Sequence, residues 1–485
     1  LLQRFADLEV RDPRVRMRLQ ETSEPVQSPP ISERSGFDAD SIQLQSYDGE
    51  YRSLGRIPGR SPQEEAHHEV ALFETLGSLV AFSSLDPTVP LWSYDPVEPS
   101  RSVRQGELSA VAPGRVLYAT MGYVIALDRE NGDLAWTWEV EDGEVLALRV
   151  ESGVVICQLQ PDDGPPIFQA LDVTRGVELW RFRQKDTTLS MRMPVLGDGY
   201  LVLLPKIQWR GVEVRDLFTG RVVRQFDLTD SPDGMAHHQV WIEDGMLIEP
   251  RFYAQNPVEL NRVTAFDLQT GAVRWTESFD EEGRRELASI AVTGSEHFFV
   301  LRSNRSTSAG VRPGRVLRLL PEIGALQPVG TLTLEASDTP MLAIAAQNEL
   351  DSPFMFLRSV SDNGQRVRLR AVHLPQGEQW SHTLPVAEND LFSRMPQPAV
   401  SKTTVAMLYN EWPSTQASAG QTRLRFIDRA SGLVRDMRDL PADDFRYAYE
   451  TDLVPLGDAL LLCGNTRMNI LGPPKVSGRS KGTVK

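Results

Sequence analysis

The side chains able to do chemistry are few and scattered. Cys157 and Cys463 sit in apolar strand-like runs, Val154-Val155-Ile156-Cys157 and Leu461-Leu462-Cys463. A thiol placed there behaves as a small buried hydrophobe rather than as a nucleophile. Two cysteines are too few to report a redox compartment. Histidines occur as the adjacent pairs His67-His68 and His237-His238. Neighbours on a strand point to opposite faces, so such pairs make poor metal ligands unless they lie in a loop. The acidic clusters Glu139 to Glu144 and Asp280 to Glu282 fall between strand-like runs and read as solvated turns, whereas a hard cation needs converging carboxylates and carbonyls. No phosphate-cradling glycine loop, nucleophile elbow or zinc spacing occurs. The sequence therefore predicts no catalytic, cofactor-binding or metal-binding residue. Trp209-Arg210 and Trp412-Pro413 set large aromatics in loops that suit either contact with a partner or local packing.

What does recur is a structural grammar. Val124-Ile125-Ala126-Leu127-Asp128 leads through Gly132 to Trp136; Ala170-Leu171-Asp172 leads through Gly176 to Trp180; Ala265-Phe266-Asp267 leads through Gly271 to Trp275. Weaker copies run through Asp216 and Gly220, through Gly324, through Gly377 and Trp380, and through Asp428 and Gly432, while a leading copy ends at Trp92 without the glycine. Trp92 to Trp136 is 44 residues and Trp136 to Trp180 another 44. The later copies lie 51 to 55 residues apart and carry extra polar loops such as Ser303 to Pro313 and Asn410 to Gln421. Strand-only repeats of this period belong to propeller blades.

Each position has a physical job. The Asp accepts hydrogen bonds from amides of the turn that follows, and the Gly supplies the left-handed backbone of a short hairpin. The Trp opens the return strand and fills the space between adjacent sheets. Two further strand runs precede each hairpin, for example Leu108 to Val111 and Arg115 to Ala119, or Met193 to Leu196 and Tyr200 to Leu204. The expectation is an all-β chain, a β-propeller of about eight four-stranded antiparallel blades. After the last hairpin come runs at Asp452–Leu456, Ala459–Cys463 and Arg467–Leu471 with no fourth, and the copy around Leu79 to Trp92 lacks a clear first strand. The ends are therefore expected to complete one composite blade, which removes exposed sheet edges.

Residues 1–60 read as an N-terminal helix remnant (Leu1 to Leu19) followed by a flexible Ser-, Pro- and Glu-rich arm, in which Ser41 to Gln45 has strand character. Residues 61–471 form the propeller, and 472–485 a basic disordered tail with Lys475, Arg479, Lys481 and Lys485. The chain opens at Leu1 rather than methionine, which reads as a processed or excised piece. Fifty-one basic against 66 acidic residues give a net charge of −15, a balance that repels phosphate backbones and argues against a nucleic-acid partner. No apolar run is long enough to span a membrane as a helix.

The Ala-Leu-Asp-x-x-x-Gly-x-x-x-Trp pattern resembles the repeats of pyrroloquinoline-quinone-like (PQQ-like) propellers. The resemblance covers residues 65 to 471, sharply at Asp128–Trp136, Asp172–Trp180 and Asp267–Trp275 and in degenerate form elsewhere. It implies one of two roles. Enzymes of this superfamily hold the quinone and a calcium ion and oxidise alcohols or sugars, many of them with two adjacent cysteines that this chain lacks. Others are cofactor-free protein-binding scaffolds, such as the propeller lipoprotein of bacterial outer-membrane assembly. The expectation is the scaffold branch, with no cofactor, with another protein bound through one face, and with a cell-envelope or periplasmic setting implied by the resemblance alone.

Overall fold

A computed structural model describes residues 42–48, 52–57, 69–75, 78–95, 108–120, 122–184, 194–204, 211–228, 240–251, 262–278, 285–293, 296–303, 311–335, 338–345, 354–361, 366–373, 377–385, 398–400, 404–411, 421–441, 452–457, 459–464 and 466–472. The secondary structure among them is entirely β, in nine four-stranded antiparallel sheets. Eight of the nine use four consecutive strands. A representative one contains Ser109–Ala112, Arg115–Ala119, Tyr123–Asp128 and Leu134–Glu139. The next contains Glu144–Glu151, Val154–Gln160, Ile167–Asp172 and Glu178–Arg183.

Strand position within a sheet explains the sequence pattern. Second and third strands read as apolar runs because both their faces are covered. Val154–Gln160 is buried along six of its seven residues, and Tyr123–Asp128 along its four central ones. Fourth strands lie at sheet edges and bury one residue in particular, the tryptophan of Leu134–Glu139 and of Glu178–Arg183. Covered strands carry continuous hydrophobic sequence and edge strands do not.

The chain divides into two compact units, Tyr94–Ala336 and a second built from Leu1–Ser93 with Ser337–Lys485. In the Tyr94–Ala336 unit, apolar layers join successive sheets in chain order. One layer places Leu117, Ala126 and Trp136 against Val155, Cys157 and Leu171; the next sets Ile156, Ala170 and Trp180 against Leu201 and Leu217. In the other unit, Leu424 and Phe426 pack on Leu460 and Leu462, while Phe73 and Phe82 pack on Leu461 and Ile470.

The ninth sheet is composite, and its composition corrects one expectation. Its three C-terminal strands, Asp452–Leu456, Ala459–Cys463 and Arg467–Gly472, are joined at the edge by Ile42–Asp48, in register from Ile42 opposite Gly472 to Asp48 opposite Arg467. The stretch Leu79 to Trp92 does not complete this sheet. It belongs instead to a full sheet of Arg52–Ile57, Val70–Thr75, Ser78–Ser83 and Pro90–Tyr94. Two strands thus lie within the segment assigned to a flexible arm, and the sheets number nine where about eight blades were expected. The reason is local: Ile42–Asp48 and Arg52–Ile57 alternate polar residues and carry no Asp-Gly-Trp signature. Residues 1–41 and 473–485, and the pairs His67-His68 and His237-His238, lie outside the described residues, as do Asp280 to Glu282, Trp209-Arg210 and Trp412-Pro413.

Candidate functional site

The repeated residues converge on the junctions between sheets. At Asp172 the carboxylate Oδ1 accepts the amides of Thr174 and Arg175 at 2.9 and 2.8 Å, while Gly176 N–H returns to the Asp172 carbonyl at 2.8 Å. Asp128 takes Glu130 N–H at 2.9 Å, and Asp216 takes Phe218 and Thr219 N–H at 3.1 and 2.7 Å. Asp267 and Asp428 add a hydroxyl, from Thr270 and Ser431, each at 2.8 Å. The bonds from Thr270, seconded by Arg274, hold the Asp267 carboxyl below the usual carboxylate range despite some desolvation. At Asp428 desolvation pulls upward, but the bonds from Ser431 and Arg435 outweigh it and the carboxyl again sits low. These carboxylates are consumed by their own turns.

The tryptophan of one sheet docks on the glycine of the next. Trp136 Nε1–H donates to the Val173 carbonyl at 2.9 Å, and a Cβ on Gly176 would lie 2.4 Å from the Trp136 ring. Trp180 meets Leu217 O at 2.8 Å and lies against Gly220; Trp275 meets Pro321 O at 3.1 Å and lies against Gly324; Trp380 meets Arg429 O at 2.9 Å and lies against Gly432. Each accepting carbonyl stands three residues before the glycine; at Val173 and Leu217 the same residue's N–H is also bonded, to Gly153 O at 3.0 Å and to Gly199 O at 2.8 Å. Glycine is required twice over, because Gly176 and Gly220 have φ of +67° and +66° and leave no room for a side chain.

The degenerate copies solve the same problem differently. Opposite Val214, where tryptophan would stand, the chain has Arg224, and Phe226 two residues later lies against Gly271. Trp92 is buried in Pro90–Tyr94, and its glycine-less turn uses Asp86, which accepts Thr88 N–H at 3.0 Å. Gly377 opens the strand Gly377–Pro385 opposite His373 and bears no Asp-led turn.

Two polar junctions escape the sequence grammar. Arg215 lays its guanidinium 3.7 Å above the Phe182 ring and pairs with Glu213 at 2.5 Å, whose other oxygen takes Gln225 Nε2–H at 2.6 Å. The second joins Trp241, Glu243 and His297 across two sheets. The partners in it come from different repeats, so no spacing along the chain announces them.

The acidic stretch Glu139 to Glu144 runs from the end of Leu134–Glu139 through a short connection to the start of Glu144–Glu151. Asp142 pairs with Arg181 and Arg183 at 3.3 and 2.9 Å, beside a shallow cleft lined by Gly143, Glu144, Gln160, Pro161 and Asp162. Burial raises the thiols of both Cys157 and Cys463, with Asp452 adding to the rise at Cys463, so neither is disposed to act as a thiolate. Among the described residues no three His, Cys, Asp or Glu gather to hold a metal ion.

Residues 77–245 match the family model described as outer membrane protein assembly factor BamB. No curated protein matches the chain. Among solved structures, BamB from Moraxella catarrhalis is 14% identical with a TM-score of 0.42, covering 76% of this chain and 95% of its own. The designed protein Ika8 is 14% identical with a TM-score of 0.40, over 76% and 98%. The quinohemoprotein alcohol dehydrogenase ADHIIG from Pseudomonas putida HK5 is 14% identical with a TM-score of 0.41, over 91% and 78%. Those likenesses are too distant to weigh between roles. The matched segment includes the Asp128–Trp136 and Asp172–Trp180 repeats, and the match supports a PQQ-like repeat β-propeller.

Proposed function

We propose that this chain is a non-catalytic propeller that binds another protein through one face, as part of a larger multidomain bacterial protein of the cell envelope. One observation carries the reading: the side chains that recur from repeat to repeat are spent on the fold. Their carboxylates serve their own turns, and their indole N–H groups end on backbone carbonyls. A surface built on such a frame is free to vary, and function then resides in loops rather than in the repeated residues. The matching family model, described as an assembly factor, points the same way. The net charge of −15 disfavours nucleic acid as the partner. No helix among the described residues is long and apolar enough to cross a membrane.

The competing role is a PQQ- and calcium-dependent alcohol or sugar dehydrogenase. Isothermal calorimetry of the chain with pyrroloquinoline quinone, with and without calcium, separates the two. The expected outcome is no saturable heat and no thermal protection, together with capture of a protein partner by cross-linking. Saturable, calcium-dependent quinone binding would overturn the scaffold role.

A further inference from the structure

Val222–Asp227 is the last strand of its sheet, bonded among the described strands to Gly211–Asp216 alone. Leu134–Glu139 and Glu178–Arg183, which hold the same place in their sheets, each bury a tryptophan, whereas Val222–Asp227 buries no residue. Arg224 stands where that tryptophan would be, and Phe226 ties the strand to the next sheet at Gly271. Val222 and Val223 are left 48% and 39% exposed, and the hairpin leading into the strand adds Phe218 at 50%. Charge sets the strand apart as well. On other fourth strands the arginines meet carboxylates: Arg181 and Arg183 pair with Asp142, Arg274 with Asp267, and Arg435 and Arg438 with Asp428 and Asp436. Arg221 and Arg224 are exposed and pair with no carboxylate among the described residues. Acids of the same hairpin are already engaged: Glu213 holds Arg215 and Gln225, and Asp216 accepts the amides of its own turn. Asp227 ends the strand on the face opposite Arg224.

The result is a strand edge that carries exposed valines and two uncompensated positive charges, on a chain whose net charge is −15. Together these select an occupant. An open edge offers backbone N–H and C=O groups to an incoming strand, whose main-chain bonds give affinity and whose alternate side chains give specificity. A second copy of Val222–Asp227 would bring arginines towards arginines, and like charges across a strand pair are destabilising. A strand with carboxylates at alternate positions gains from the same two charges. We propose, resting on the protein-binding role, that Val222–Asp227 is the docking edge for an extended acidic segment of the partner. That segment adds to the sheet as a further strand, sets apolar side chains on Val222 and Val223, and places Asp or Glu against Arg221 and Arg224.

The probe is a fluorescent peptide of about eight residues that alternates valine with glutamate, titrated into the whole chain, with a valine–lysine peptide of the same length as control. The valine–glutamate peptide is expected to bind, to bind more weakly as salt rises, and to slow amide exchange across Val222–Asp227. Reversing both charges, Arg221→Glu with Arg224→Glu, should weaken it about tenfold. Arg175→Glu, an exposed charge in the hairpin of the preceding sheet, should leave binding unchanged. Equal binding of the two peptides, no binding of either, or exchange protection confined to another strand would overturn the proposal. Should the double variant fail to fold, as circular dichroism would show, the exchange map of the unsubstituted chain decides. Loss of this docking edge would leave the scaffold role standing, because a partner can bind elsewhere on the chain; that role falls only to the quinone calorimetry.

Discussion

At the scale of single residues, the glycines and aspartates of the hairpins make separable contributions. Gly220 has φ of +66°, and a Cβ there would come within 2.7 Å of Trp180. Gly114 has φ of +71° with nothing within 4 Å of such a Cβ. Gly114→Ala should therefore cost only the left-handed backbone, about 1–2 kcal/mol. Gly220→Ala adds overpacking of about 1–3 kcal/mol. Denaturant unfolding of the two variants measures the difference, and equal losses would mean that the indole yields freely. Asp267 has a consequence in pH. Its folded-state carboxyl titrates below the unfolded one because Thr270, and then Arg274, bond to the charged form. Stability from these bonds is complete above the ordinary aspartate value of about 4 and is lost as pH falls through the lower folded value. The melting-temperature advantage of the native chain over Asp267→Ala should be constant above pH 5 and shrink towards pH 2.

At the scale of elements, the edge strand Ile42–Asp48 is the most exposed to test. Tyr47 holds it in place: its ring packs edge-on against Phe82, and its hydroxyl donates to the Thr88 carbonyl at 2.5 Å. Removing residues 1–48 would leave Arg467–Gly472 as an unpaired edge, which invites association between chains. The truncated chain is expected to melt lower and to aggregate, and a synthetic peptide of residues 41–49 is expected to bind it and restore the melting temperature. Indifference to the truncation would show that the strand contributes little. The same element marks where sequence reading stops. The third and fourth strands around Asp128, Asp172 and Asp267 are legible because turn chemistry and an apolar run agree there. Ile42–Asp48 has no turn chemistry and only the short strand character of Ser41 to Gln45, so the sequence shows a strand there but not which sheet receives it.

At the scale of the whole molecule, the fold class was legible because five of the nine sheets repeat one Asp-led glycine turn, so that errors in one copy are corrected by the others. The count of sheets was not legible, since nothing local separates Ile42–Asp48, which joins the C-terminal strands, from Arg52–Ile57, which opens a sheet of its own. The same limit hid the two polar junctions. Glu213 and Arg215 look like surface charges until Arg215, paired with Glu213, is seen to lie over Phe182 of another sheet. Glu243 and His297 lie 54 residues apart and meet only when successive sheets stack. Periodicity reports what each sheet does for itself; it is silent on side chains that serve a neighbour.

The pairing of Ile42–Asp48 with Arg467–Gly472 also sets a clock. The strand made near the beginning of the chain has no partner until the last of the nine sheets has been translated. At about 5–20 residues per second, that wait on the ribosome is roughly 20–80 seconds. For that time the strand carries an unsatisfied edge, and the sheet it joins is finished only once Arg467–Gly472 has been made.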